Sequence, residues 1–290
     1  MSVKHPIIAV TGSSGAGTTT VKHAFTDIFR REGIANAIYV EGDSFHRYDR
    51  YEMKERILEA DAEGRNLSHF GPEANLFEEL EALFREYGEA GTGNIRHYIH
   101  DAQEAELYNG EPGRFTAWEP IPENTDLLLY EGLHGGVVTE TANVARHVDL
   151  LIGVVPIVNL EWIQKIHRDT ATRGYTPEQV THTIMRRMPD YVDYITPQFS
   201  RSHINFQRVS VVDTSNPFIA RDIPTPDESM VVARFSDPRN VDFPYLLQMI
   251  HDSFMSRPNT IVAPGGKMGM AMEIILTPII RKMMEQKHPA

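Results

Sequence analysis

Glycines and hydroxyl residues near the start of the chain form a pattern suited to phosphate binding. The run Gly12-Ser13-Ser14-Gly15-Ala16-Gly17-Thr18-Thr19 fits the spacing G-x-x-x-x-G-x-[ST] between a predicted strand (6–11) and a predicted helix that runs to Arg31. Small residues let successive backbone N–H groups point into one concavity, and the helix start adds partial positive charge. The run is therefore predicted to bind a polyphosphate, with the Thr19 hydroxyl on Mg²⁺.

One position departs from the usual phosphate-binding pattern. Where such loops carry a lysine after the last glycine, this chain has Thr18. Without that ammonium group, positive charge for the outer phosphates has to come from another part of the chain. The departure thus predicts a second group of cations, and the alternative is a glycine-rich turn that binds no ligand.

Carboxylates stand at the ends of the second and third predicted strands. Glu41-Gly42-Asp43 closes the second strand, and Glu131 closes the apolar run that begins at Leu127. Because ligands of open α/β sheets bind beyond the carboxyl ends of the strands, Asp43 and Glu131 are candidate site residues. Glu131 is predicted to hold Mg²⁺ directly or through water. A turn or helix-capping role is the alternative for each.

Three nitrogen donors follow Asp43 closely in the sequence. The run Phe45-His46-Arg47-Tyr48-Asp49-Arg50 brings an imidazole and two guanidinium groups beside a carboxylate. This combination suits a substrate with an acceptor hydroxyl and a phosphate, because the carboxylate accepts the hydroxyl proton while the donors hold the phosphate. An exposed helix start with local salt bridges is the alternative.

A helix predicted over 159–172 carries the cations that the phosphate loop lacks. At about 3.6 residues per turn, one of its faces collects charged and polar side chains: Lys165, Arg168, Asp169, Thr172 and Arg173. The opposite face is apolar and is expected to pack on the sheet: Leu160, Ile163, Ile166 and Ala171. The alternative is a surface ladder of salt bridges, in which Lys165 can pair with Asp169 at i,i+4 but the adjacent Arg168 is expected to pair poorly with it.

Short apolar runs alternate with amphipathic segments along the chain. Strands are predicted at 6–11, 37–41, 127–131, 150–155, 209–213 and 230–235, and helices at 51–62, 75–87, 159–172, 177–188 and 267–282. The alternation predicts a three-layer α/β sheet. We expect residues 1–290 to form a single domain with an irregular loop segment near 109–125, where glycines and prolines collect.

Composition and charge exclude several classes of protein. The 290 residues carry a net charge of −12, and a field of that sign repels nucleic acid and anionic membranes. The absence of cysteine excludes disulfides, thiolate metal sites and a cysteine nucleophile. Since the start lacks the apolar run of a secretory signal and no run reaches membrane-spanning length, we expect a cytoplasmic protein.

Four segments of the sequence resemble the bacterial, octameric class of phosphoribulokinase. They are G-S-S-G-A-G-T-T (12–19), E-G-D-S-F-H-R (41–47), Y-E-G-L-H-G (130–135) and N-L-E-W-I-Q-K-I-H-R-D-T-A-T-R-G-Y (159–175). The resemblance runs nearly end to end, and Thr in place of the loop lysine is itself a feature of that class. It implies a P-loop, nucleoside-kinase-like fold with a mixed, mostly parallel central sheet. It also implies Mg²⁺-dependent transfer of phosphate from ATP to the 1-hydroxyl of D-ribulose 5-phosphate, a step of carbon fixation.

The resemblance also assigns roles to residues. The ATP-binding set comprises Gly12, Ser13, Ser14, Gly15, Ala16, Gly17, Thr18, Thr19 and Thr20. Asp43 matches the general base, and Lys165 and Arg168 match the groups that stabilise the transferring phosphoryl group. The sugar phosphate is held by His46, Arg50 and Arg173. Thr19, Glu131 and Asp169 are the expected metal ligands, and Asp169 is also counted as an essential acid.

Regulation and assembly are implied only by the resemblance. Members of that class are activated by NADH and inhibited by AMP, and Arg31, Arg234 and Arg257 resemble their effector-site arginines. A homo-octamer is expected. The alternatives are another small-molecule kinase on the same scaffold, such as a uridine or pantothenate kinase, a GTPase-type switch, and a catalytically inactive nucleotide sensor. The chain has no N-K-x-D guanine motif, and Asp43 and Asp169 are both present.

Overall fold

The computed structural model describes residues 4–12, 18–220 and 222–287, without the side chains of Thr18, Thr19 and Arg173. The strands are β1 (Ile7–Thr11), β2 (Ala37–Glu41), β3 (Asn94–Ile95), β4 (Glu119–Pro120), β5 (Leu127–Gly132), β6 (Leu150–Val155), β7 (Ile204–Ser210), β8 (Ser229–Phe235), β9 (Phe254–Arg257) and β10 (Thr260–Pro264). The helices are α1 (Thr18–Glu32), α2 (Arg50–Ala62), α3 (Phe77–Ala90), α4 (Ala102–Tyr108), α5 (Val158–Arg173), α6 (Pro177–Asp190), α7 (Thr196–Arg201), α8 (Phe243–Met249) and α9 (Met268–Lys287).

The longer strands form one mixed sheet in the order β2-β5-β1-β6-β7-β8-β10-β9. Pairing is parallel within β2-β5-β1 and between β6 and β7, and it is antiparallel from β7 through β8 and β10 to β9. The predicted α/β fold with a mixed, mostly parallel central sheet and flanking helices is confirmed. A short sheet of β3 and β4 lies apart from it in the strand order.

The chain divides into two compact units. The first comprises 4–11, Asn36–Leu151 and Met185–Arg201, and the second comprises the described parts of 12–35, Ile152–Ile184 and 202–287. The single domain expected for residues 1–290 stays a prediction.

In the first unit, α3 covers one face of β1, β2 and β5. The helix buries a continuous apolar stripe, Phe77, Leu80, Leu83, Phe84 and Tyr87, against strand residues that include Ile7, Val40 and Tyr130. Removal of these apolar side chains from water is the main contribution that stabilises the packing of α3 on the strands, at roughly 25 cal/mol per Å² of buried apolar surface. The segment 109–125 is irregular apart from β4 and is hydrogen-bonded to its surroundings, since Gly113 N donates to Ile99 O and Arg50 N donates to Gly113 O.

In the second unit, α1 and α9 pack against each other. Their apolar faces bury residues such as Phe25, Ile28, Met272 and Ile275. Ion pairs join the helices at the edge of this contact: Arg31 with Glu273 at 2.6 Å, and Arg281 with Glu32 at 2.7 Å.

The largest error in the predicted elements concerns the strand at 209–213. The structure has β7 at Ile204–Ser210, where Ile204 and Phe206 are buried on alternate positions. Val211 and Val212 are exposed, so their β-branched side chains misled the prediction. The elements β3, β4, β9, β10, α4, α7 and α8 were not predicted, chiefly because they are short.

Candidate functional site

The predicted strand before the phosphate-binding run and the predicted helix after it are confirmed, because β1 ends at Thr11 and α1 begins at Thr18. Gly12 is required by a close backbone approach: a Cβ at this position would stand 2.5 Å from the carbonyl oxygen of Val154. The loop residues Ser13, Ser14, Gly15, Ala16 and Gly17 and the side chains of Thr18 and Thr19 lie outside the described residues.

A cavity of about 200 Å³ lies beside Thr20 in the second unit. Its walls come from the end of β6, from α5, from β7 and from the start of α9, and they include Gln164 and Arg208. Arg208 is held in place by donating to Ser229 Oγ at 3.1 Å and to Pro224 O at 2.5 Å. The buried Oε1 of Gln164 accepts no hydrogen bond from the described residues. The cavity thus offers polar groups to a ligand next to the start of α1.

The cations of α5 are gathered by a buried carboxylate. Lys165 Nζ lies 2.5 Å from Asp169 Oδ2, and Arg168 Nε lies 2.9 Å from Asp169 Oδ1. Asp169 is only 3% exposed. Burial acts to raise the pKa of its carboxyl, but the hydrogen bonds from Lys165 and Arg168 outweigh burial and the pKa is lowered. Asp169 is therefore ionised at neutral pH and fixes both cations.

Two expectations for this helix were wrong. Arg168 does pair with its neighbour Asp169, because the long guanidinium side chain curls back to reach the adjacent carboxylate. Ala171, expected on the apolar packing face, is exposed. The helix ends where Gly174 adopts a left-handed conformation with φ +71°. The side chain of Arg173 lies outside the described residues.

Asp43 lies in the first unit, in the short turn Gly42–Phe45 that follows β2. Its side chain is 44% exposed, so its carboxylate is accessible to a ligand. The helix-capping alternative for Asp43 is wrong, because Asp49 caps α2, accepting from the backbone N–H groups of Tyr51 and Glu52.

His46 is a buried neighbour of Asp43. Its Nε2 atom lies 3.7 Å from Asp43 Oδ1, and its ring stands 4.5 Å from that of His69. Burial is the main reason that the pKa of His46 is lowered, although Asp43 acts in the opposite direction. The ring is consequently neutral at neutral pH, and it offers a phosphate a hydrogen bond and no charge.

Arg50 begins α2 and is exposed. Its Nη2 atom donates to the carbonyl of His100 at 2.9 Å, and its guanidinium carbon lies 6.0 Å from the ring centroid of Tyr98. Arg50 brings a permanent charge to this side, whereas the guanidinium group of Arg47 donates to the backbone carbonyls of Glu73 and Asn75. Asp43 and His46 are neighbours in and after the turn that follows β2, and His46 and Arg50 both lie beside the ring of Tyr98.

Arg96 is a structural residue of this region that sequence analysis missed. It donates through Nε to Ser44 O at 2.8 Å and through Nη2 to His46 O at 2.6 Å. Its guanidinium carbon lies 3.7 Å from the ring centroid of Phe115 and 4.7 Å from that of Trp118. Burial lowers its pKa to about 10, so it stays charged. Arg96 therefore fixes the backbone between Asp43 and His46.

Two glutamates occupy partner positions on β2 and β5. Glu41 and Glu131 are direct partners in the parallel register. The Tyr39 hydroxyl donates to Glu131, and His100 Nε2 lies 3.4 Å from Glu41 Oε2. The contact with Glu41 is the main reason that the pKa of His100 is raised. The Tyr39 and His100 contacts join residues distant in sequence, and no local pattern could have revealed them.

Within the described residues, no group of three or more His, Asp or Glu side chains is arranged to hold a metal ion. Glu131 is nevertheless suited to Mg²⁺, which commonly takes one or two carboxylates and completes its shell with water and substrate phosphates.

The three predicted effector arginines all belong to the second unit and are exposed. Arg234 on β8 and Arg257 on β9 are both register partners of Thr260 on the intervening β10. Arg31 lies in the last turn of α1 and pairs with Glu273. No helix in the described part of the chain is long and apolar enough to span a membrane.

Comparison with known proteins gives concordant matches. Residues 7–215 match the model of the phosphoribulokinase / uridine kinase family. The chain is 65% identical to the chromosomal phosphoribulokinase of Cupriavidus necator, covering 100% of this chain and 99% of that protein. It is also 65% identical to the phosphoribulokinase of Xanthobacter flavus, covering 100% of both. A solved phosphoribulokinase from Rhodobacter spheroides superposes with a TM-score of 0.91 at 57% identity, covering 99% of each chain.

Proposed function

Since the chain belongs to the phosphoribulokinase / uridine kinase family, we propose that it transfers the γ-phosphoryl group of ATP to the 1-hydroxyl of D-ribulose 5-phosphate. The products are D-ribulose 1,5-bisphosphate and ADP. The observation that carries this assignment is the 65% identity over full length to a phosphoribulokinase. The predicted resemblance to phosphoribulokinases is confirmed, and the enzyme is a kinase acting on an alcohol.

Asp43 is the general base of this proposal. Its accessible carboxylate accepts the proton of the acceptor hydroxyl, which makes the oxygen a stronger nucleophile. Arg50 supplies charge to the phosphate of the acceptor, and neutral His46 supplies a hydrogen bond. Arg173 is proposed as a further ligand of that phosphate. Arg96 acts through the backbone, because it holds the turn that carries Asp43.

Lys165 and Arg168 stabilise the negative charge that develops on the transferring phosphoryl group. In phosphoryl transfer the protein contributes mainly by positioning the reactants and by electrostatic stabilisation, so fixed cations are more effective than mobile ones. Asp169 supports this role, because one buried carboxylate orders both side chains.

Magnesium would be held by Thr19, Glu131 and Asp169 in this proposal. The ion supplies positive charge to the polyphosphate when it is bound. Glu131 is the carboxylate with the clearest fit, since it lies at the carboxyl end of β5, one residue before the strand ends. Each oxygen of Asp169 already contacts a cation, so a metal ion bound there would share the carboxylate with Lys165 and Arg168.

The nucleotide is proposed to bind along the start of α1, with Gly12, Ser13, Ser14, Gly15, Ala16, Gly17, Thr18, Thr19 and Thr20 around its phosphates. The cavity beside Thr20 suits the base, because a volume of about 200 Å³ accommodates a purine and Gln164 and Arg208 offer polar groups at its wall.

Regulation and assembly are proposed on the family resemblance. NADH is the proposed activator and AMP the proposed inhibitor, with Arg31, Arg234 and Arg257 as candidate ligands of their phosphates. A homo-octamer and a cytoplasmic location are proposed on the same ground. The exposure of all three arginines supports access by an anionic effector.

An assay of ADP release with alternative acceptors tests the function. With ATP and Mg²⁺, D-ribulose 5-phosphate should sustain turnover. Uridine should give none, because it has no phosphate group for Arg50 to bind. NADH should raise the rate with the sugar phosphate. Turnover with uridine but not with ribulose 5-phosphate would instead assign the chain to the uridine kinase branch of the family.

A further inference from the structure

Tyr39 lies close to a proposed metal ligand but has no role in the reaction as proposed so far. It lies on β2, two residues before Glu41, and its register partner on β5 is Leu129, two residues before Glu131. Because side chains alternate along a strand, these four residues share one face of the sheet. Tyr39 is therefore a diagonal neighbour of Glu131 and reaches it with its hydroxyl, which donates to Oε2 of that carboxylate.

Glu131 has a second carboxylate at the partner position on the neighbouring strand. Glu41 is its register partner in the parallel pair of β2 and β5, and two negative charges at neighbouring positions repel each other. Two different donors relieve this repulsion: Tyr39 contacts Glu131, and His100 contacts Glu41. Each carboxylate thus has its own partner.

We infer that Tyr39 is a positioning residue for metal binding, whose phenol fixes the orientation in which Glu131 meets the magnesium of the nucleotide complex. This inference rests on the proposed role of Glu131 as a metal ligand. A phenol is a neutral O–H donor at neutral pH, so it can orient the carboxylate without neutralising its charge. A lysine in the same place would hold the carboxylate more strongly, but it would also repel the ion.

The expected loss of metal affinity follows from the role of residues that orient a metal ligand without binding the metal themselves. Removing a group that orients a metal ligand typically weakens metal affinity by about 10–100-fold. Tyr39→Phe removes one oxygen and keeps the ring, so the fold should be retained. We expect the dissociation constant for Mn²⁺, used in place of Mg²⁺, to rise by at least about ten-fold.

The experiment measures Mn²⁺ binding by electron paramagnetic resonance, using the full chain with a non-hydrolysable ATP analogue. Tyr87→Phe is the matched control, since the Tyr87 hydroxyl is buried in the same unit and contacts Thr125 at 2.8 Å. Thermal midpoints of both variants accompany the binding data. The inference predicts weaker Mn²⁺ binding for Tyr39→Phe and unchanged binding for Tyr87→Phe.

Unchanged Mn²⁺ binding in Tyr39→Phe would overturn the inference, as would an equal loss in both tyrosine variants, which would indicate a general effect on the fold. Glu131→Gln separates this failure from failure of the proposed metal site. If Glu131→Gln loses Mn²⁺ and Tyr39→Phe does not, only the positioning role is overturned. If neither variant changes binding, the metal assignment of Glu131 is overturned as well, while ADP release with ribulose 5-phosphate tests the kinase function independently.

Discussion

Replacing Asp169 by asparagine tests whether one buried carboxylate organises the phosphoryl-transfer cations. The substitution keeps the shape of the side chain but removes its charge. An amide oxygen can still accept from one cation, whereas its NH₂ group then faces the other. Lys165 and Arg168, which lie 2.5 Å and 2.9 Å from the two carboxylate oxygens, therefore cannot both be held.

The energetic cost follows from these contacts. A hydrogen bond to a charged group contributes about 1.5–3 kcal/mol, and one such bond is lost outright. Breaking a fully buried ion pair costs more, about 3–5 kcal/mol, but the Lys165 and Arg168 side chains are 17% and 35% exposed and are partly solvated. We therefore expect Asp169→Asn to lower the free energy of unfolding by about 1.5–3 kcal/mol. Turnover should fall by about 10²–10³-fold, since two charge-stabilising groups lose their fixed positions.

Urea denaturation at several pH values measures the stability effect. The pKa of Asp169 is lowered in the folded state, so its stabilisation is complete above the unfolded value of about 3.9 and is lost as pH falls through the folded pKa. The difference between wild type and Asp169→Asn should be constant from about pH 5 to pH 8 and shrink only below about pH 4. Asp252→Asn is the control, because Asp252 also pairs with a lysine but is 79% exposed.

Two results would refute this reasoning. Equal destabilisation by Asp169→Asn and Asp252→Asn would mean that burial of the Asp169 carboxylate contributes nothing. A destabilised Asp169→Asn enzyme with wild-type turnover would mean that Lys165 and Arg168 are not held for catalysis by this contact.

Four further substitutions separate the remaining roles. Asp43→Asn should abolish turnover and leave the dissociation constant of an ATP analogue unchanged; substantial residual activity would remove Asp43 as base. Lys165→Met should lower kcat more than it raises KM for either substrate, because its charge acts chiefly in the transition state, and a pure KM effect would contradict this role. Arg50→Ala should raise KM for the sugar phosphate but not for ATP, and an unchanged sugar KM would show that Arg50 does not hold the phosphate. Arg96→Lys should lower kcat by about 10-fold or more, since one ammonium nitrogen cannot replace the planar pair of nitrogens that reach the Ser44 and His46 carbonyls, and a wild-type rate would exclude the positioning role.

The predictions from sequence that succeeded depended on short-range physics. The strand before the phosphate-binding run and the helix after it were both identifiable, because their apolar periodicities differ within a few residues of one another. The i,i+4 contact between Lys165 and Asp169 follows from helix geometry in the same way. Asp43 follows the end of β2, and Glu131 is the next-to-last residue of β5, whose buried apolar run at 127–130 was identifiable from the sequence.

Only the tertiary structure decided which distant residues support that local chemistry. Arg96 contacts the turn after β2 from about fifty positions away, and the Tyr39–Glu131 contact requires the pairing register of β2 with β5. The burial of His46 and of Asp169 likewise depends on side chains packed from other elements. Burial keeps the His46 ring neutral. Local sequence determines the backbone conformation and the chemical type of each functional group. The charge state and the orientation of each group depend on the exclusion of solvent and on contacts that exist only once the chain has folded.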